Sequence, residues 1–99
     1  MIYISGPMSG YLDYNWPAFE KAYKALEPHA QLPYKKTPEE TLEWAQYMKK
    51  DIKILLQCDA IVMLEGWEKS DGACLERQIA SALGYTIYES LAEAVSACK

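Results

Sequence analysis

The chain has 99 residues, 51% of them hydrophobic and 24% charged, which suits one globular domain and leaves no room for two. Its 10 basic residues against 14 acidic ones give a net charge of -4. That sign excludes sequence-independent binding to a nucleic-acid polymer, which needs a basic face, but not a nucleotide-sized ligand held by a few backbone N–H groups.

In chain order, "MIYIS" (1–5) is a short β-branched and apolar run stopped by Gly6-Pro7, and so a strand. A loop rich in Gly, Ser and Tyr follows. Asn15 is placed to cap a helix that carries Trp16 and Pro17 in its first turn and runs to Leu26. The stretch 27–36 has two prolines, which suit a brief edge strand better than a central one. "TPEE" (37–40) reads as a helix start, with Thr37 as cap, Pro38 behind it and Glu40 completing a capping box. That helix is expected to reach Leu56 and to hold Trp44, Tyr47, Met48, Ile52 and Leu55.

"DAIVMLEG" (59–66) is apolar without alternation, the pattern of a strand buried on both faces. A helix from Asp71 to Leu83 comes next, then the short strand "YTIY" (85–88). Ser90 and Glu93 form a second capping box that opens a helix to Cys98. Strands alternating with helices imply an α/β fold, a parallel sheet with helices on both faces. In such folds ligands sit at the carboxyl ends of the strands, which places the loops 5–15 and 65–71 at any site.

Glu76 stands out between those loops and the body of the domain. Positions three and four apart share a helix face, so Glu76 lies with Ile79, Ala80 and Leu83, while Arg77, Gln78 and Ser81 turn toward water. Burying a carboxylate without a partner costs several kcal/mol, so it is either paired structurally or used. Asp51 poses the same choice: it shares a stripe with Tyr47 and Leu55, unless it merely pairs with Lys49 or Lys53 at the surface. Ser70 can cap the helix that carries Glu76, at an end whose free N–H groups favour a ligand oxygen. Gly6 and Gly72 allow close backbone approach beside it, or serve only the turns they occupy. His29 has no spacing that suggests a triad or a metal, and Met8, Met48 and Met63 read as packing residues.

Cys58, Cys74 and Cys98 are too scattered for a disulfide framework or a zinc site and read as reduced thiols of a cytoplasmic protein. "MIYISGPMSG" is no signal peptide, and no run is long enough to cross a membrane. No cofactor or metal is expected. Eight Tyr and three Trp against one Phe favour half-exposed surfaces, either a ligand pocket or a subunit interface. With so modest a core, a homo-oligomer is expected, a dimer or larger.

"YISGPMSGYLDYNWPAF" and "YMKKDIKILLQCDAIVMLEGWEKSDGACLERQIASALG", in that order, resemble the small DUF4406 proteins of bacteria and their phages. These belong to the nucleoside 2-deoxyribosyltransferase superfamily, together with the 2′-deoxynucleoside 5′-phosphate N-hydrolases. The resemblance covers residues 1–20 and 44–88, whereas 27–43 departs from the family's usual second strand and helix. It implies a small flavodoxin- or Rossmann-like domain over residues 1–99 that cleaves or transfers the base–sugar bond of a nucleoside or nucleotide. By the same resemblance, Glu76 takes the nucleophile's place and Asp51 that of an acid near the sugar or departing base. Ser70 falls where the hydrolases contact a 5′-phosphate, and Tyr3 and Gly6 fall on the strand and glycine turn that line the pocket. A non-catalytic protein that sequesters a nucleotide or a nucleotide-derived signal would use the same pocket without turnover.

Overall fold

A computed structural model of the chain describes residues 1–31 and 43–98. Within them the order is β1 (Ile2–Ser5), α1 (Trp16–Leu26), β2 (Ala30–Gln31), α2 (Trp44–Leu55), β3 (Ala60–Met63), α3 (Asp71–Ala82), β4 (Thr86–Tyr88) and α4 (Leu91–Cys98). All strand pairs are parallel and the sheet order is β2-β1-β3-β4. This is the α/β architecture that the alternation of elements predicts. The order is that of a flavodoxin-like sheet, where the winding reverses between β1 and β3 and opens a crevice at their carboxyl ends.

The two-residue period of the strands decides which helix covers which face. Ile2, Ile4, Ala60 and Val62 point to one side and pack with Phe19, Ala22 and Leu26 of α1 and with Ala94 of α4. Tyr3, Ile61 and Met63 point to the other, against Leu55 of α2 and Ala73 and Ala80 of α3. Continuous burial along β1 and β3 follows from cover on both faces. No helix among the described residues is long and apolar enough to cross a membrane.

Four local expectations change. Glu43 is extended (φ -74°, ψ 160°) and caps a helix that begins at Trp44, closing a capping box with Gln46. Helix therefore does not run unbroken from "TPEE", whose residues lie outside the described ones. Asn15 does not cap α1 with its side chain: its backbone is left-handed (φ 66°), and its Nδ2 donates to the carbonyl of Pro7 at 2.9 Å, tying the loop back on itself. Leu83 falls beyond the end of α3 and is exposed, rather than continuing the stripe of Glu76. The box at Ser90 forms with a shift: the Glu93 N–H donates to Ser90 Oγ, while the Glu93 carboxylate accepts from the Glu89 N–H.

Candidate functional site

α3 is capped by Ser70, whose backbone is extended and whose side-chain oxygen accepts the N–H of Ala73 at 3.2 Å. Ala73 and Ala80 are the small residues that let α3 lie close to the sheet. Glu76 is three residues after one and four before the other, so helix geometry puts its carboxylate on the packed stripe, 5% exposed. Tyr3 Oη donates to its Oε2 at 2.6 Å, and Ser5 Oγ donates to its Oε1 at 2.6 Å. Both donors come from β1, two residues apart on the face turned toward α3. Burial pushes the Glu76 carboxyl up to about 7, against the two hydroxyls, which favour its charged form. The Tyr3 hydroxyl is held well above its ordinary range by burial and then by the Glu76 and Asp51 carboxylates, so it stays a donor.

Asp51 comes from the buried stripe Met48, Asp51 and Leu55 of α2. It is 8% exposed, and among the described residues its carboxylate has no hydrogen bond and no ion pair, with Lys49, Lys53 or any other residue. Burial, and then the nearby charge of Glu76, raises it to about 7, with Lys50 pulling the other way. The site thus holds two carboxyls pushed up to about 7, Glu76 by burial and Asp51 by burial and then by the charge of Glu76.

Both face a cleft of about 730 Å³, within the range of small-molecule sites. Its walls are the loop after β1, with Gly6, Met8, Tyr11 and Tyr14; α2, with Trp44, Tyr47, Met48 and Asp51; and the start of α3, with Lys69, Ser70, Gly72 and Glu76. Close approach explains two glycines. A Cβ on Gly6 would lie 2.8 Å from Leu64 Cβ, and one on Gly72 would lie 3.1 Å from Met48 Sδ, where α2 meets the first turn of α3. The cleft opens at the carboxyl ends of β1 and β3, as the sheet order requires.

Of the residues singled out in the sequence, Glu76, Asp51, Gly6, Ser70 and Gly72 all meet in this cleft. Tyr3 does not line it; it is fully buried behind Glu76 and touches the site through that carboxylate. Ser5 joins the site as well, and its place two residues after Tyr3 on one strand face is the sequence signal that pairs them. Tyr11, Tyr14, Trp44 and Tyr47 also enter the wall, which the aromatic surplus foreshadowed without assigning them. His29 is exposed and lies away from the cleft. Among the described residues, no three His, Cys, Asp or Glu side chains converge into a metal-binding group.

No curated protein matches the chain. A family model described as a domain of unknown function, DUF4406, matches residues 1–89, a span that contains Tyr3, Ser5, Asp51, Ser70 and Glu76. With nearly the whole chain matched, the protein belongs to the DUF4406 family.

Proposed function

We propose that the protein binds a nucleoside or nucleotide in this cleft and breaks its N-glycosidic bond, with Glu76 as the nucleophile. The observation that carries the reading is a 5% exposed carboxylate, fixed at both oxygens by hydroxyl donors, at the wall of a ligand-sized cleft beside a second buried carboxyl. The resemblance of the site's sequence to the nucleoside 2-deoxyribosyltransferase superfamily supports it.

In this reading an oxygen of Glu76 bonds to C1′ as the C1′–N bond breaks, through an oxocarbenium-like state. The electron pair of the broken bond goes to the base nitrogen, which takes a proton from Asp51. Water then attacks C1′, leaves its hydroxyl there, frees the Glu76 carboxylate and returns a proton to Asp51. A second base in place of water gives transfer instead of hydrolysis. An acid poised near 7 suits the proton transfer.

One observation favours a second reading. Both Glu76 oxygens already accept hydrogen bonds, which damps nucleophilicity, and a binder that sequesters its nucleotide needs no free nucleophile. Chromatography of the protein with nucleosides, deoxynucleosides and their 5′-monophosphates, with and without an acceptor base, separates the two. Released base supports the glycosidase, and a new nucleoside makes it a transferase. A compound retained unchanged supports the binder.

The reading includes self-association, supported by exposed Tyr11 and Trp44 of the cleft wall and by exposed Leu12; a monomer by light scattering at micromolar concentration would contradict it. It also places the protein in the cytoplasm, supported by three unpaired thiols.

A further inference from the structure

The charge on the cleft walls is uneven. Among the described residues Asp51, Asp71 and Glu76 face it against one amine, Lys69. Two of these residues, Asp51 and Glu76, are nearly buried, and among the described residues Asp51 has neither a hydrogen bond nor an ion pair. The Asp51 carboxylate meets only the solvent of the cleft, and a ligand bringing positive charge into that space favours its ionised form. A phosphate monoester would bring further negative charge to the same walls. Four aromatic residues, Tyr11, Tyr14, Trp44 and Tyr47, line the same space, and ring faces attract cations, with Trp the strongest.

Resting on the glycosidase reading, we propose that the cleft selects nucleosides whose base carries a positive charge on a quaternised ring nitrogen and which bear no phosphate. The bond-breaking step agrees with this preference. When such a base departs, the C1′–N pair neutralises the ring nitrogen and the base leaves without taking a proton. The water that later attacks C1′ leaves its hydroxyl on the sugar, displaces the Glu76 carboxylate and gives its proton to the ionised Asp51, which releases it to solvent.

Cation binding must then tighten as pH rises from about 6 to about 8, because Asp51 and Glu76 lose their protons there and favour the bound charge. The other groups facing this pair are Asp71, Lys69 and the three cleft tyrosines, with Tyr3 and Ser5 behind Glu76 and Lys50 beside Asp51.

Calorimetry with four probes tests the proposal: nicotinamide riboside, which is cationic; its neutral 1,4-dihydro form of the same size; its 5′-monophosphate; and 1-methylnicotinamide, a cation without a glycosidic bond. The riboside is expected to bind at least about tenfold more tightly than the dihydro form, and more tightly than the monophosphate. Asp51→Asn is expected to cut that preference to about threefold or less. Trp44→Ala, at a side chain 56% exposed and therefore dispensable for folding, is expected to weaken the riboside several-fold more than the dihydro form. Equal or tighter binding of the neutral or phosphorylated probe, or no binding of any probe, would overturn the proposal. If neutral nucleosides lose their base as fast as cationic ones, the glycosidase reading stands and this one falls. If 1-methylnicotinamide and the riboside both bind and no base is released, the charge preference stands and the glycosidase reading falls.

Discussion

Tyr3 Oη donates to Glu76 Oε2 at 2.6 Å, joining the centre of the sheet to the second turn of α3 across 73 positions of sequence. Both groups are buried, so the bond is shielded from water and favours the ionised carboxylate. Removing the donor with Tyr3→Phe is therefore expected to raise the Glu76 pKa further. In a pH–rate or pH–binding profile the acid limb should move to higher pH, and stability should fall by about 1–3 kcal/mol. An unmoved acid limb would show that this bond does not tune the carboxylate.

The two raised carboxyls make stability depend on pH with a definite sign. Unfolded, they titrate near their ordinary values of 4.5 and 3.8; folded, near 7. The folded state therefore binds more protons in between. Stability should be highest below the unfolded values and should decline as pH rises through about 7. Glu76→Gln keeps the shape and removes the charge, so at about pH 8 it should be more stable than the parent by roughly 1–3 kcal/mol, with little difference near pH 5. Melting curves across that window read the effect directly, and a parent that gains stability toward pH 8 relative to the variant would reverse the assignment.

Ser70 has a structural task whatever else it does, because its Oγ accepts the N–H of Ala73 at the start of α3. Ser70→Ala is expected to cost about 1 kcal/mol in urea unfolding, and Ser70→Asp, which can keep the cap, appreciably less. Equal losses in both would mean that the cap contributes nothing.

Gly6 is held by space and Gly10 by backbone angle. A Cβ at Gly6 would meet Leu64 Cβ, an atom next to the backbone that cannot swing aside, whereas one at Gly10 (φ +83°) would meet nothing within 4 Å. Gly6→Ala should therefore cost about 1–3 kcal/mol and distort the cleft wall. Gly10→Ala should cost only the strain of the left-handed backbone, about 1–2 kcal/mol, with the cleft intact. Ligand binding by the two variants separates the causes.

The sequence made most of this arrangement legible, for physical reasons that differ along the chain. The continuous apolar run at Ala60–Met63 and the spacing of Ala73, Glu76 and Ala80 are local signals with one structural outcome each. They were enough to put Glu76 inside and the cleft at the strand ends. Ser5 was harder to see, because a Ser at a strand end before Gly-Pro also reads as ordinary turn chemistry. Its meaning depends on which helix covers that face, and that is a tertiary fact. Asn15 misled for a related reason. A cap-forming residue before Trp-Pro is a sound local pattern, but the left-handed run Asp13, Tyr14 and Asn15 turns its amide back to Pro7 instead. The start of α2 at Trp44, capped by Glu43, is obscured by a stronger cap signal seven residues earlier, at Thr37.

The most direct test of Glu76 as the nucleophile is the rate of base release by Glu76→Gln beside the parent protein. Cationic and neutral nucleosides would be used, and both proteins shown folded by circular dichroism. A loss of at least about a thousandfold with ligand binding retained is the predicted result. Base release at the parental rate by the variant would contradict the account, since nothing else on that wall would then need Glu76's charge.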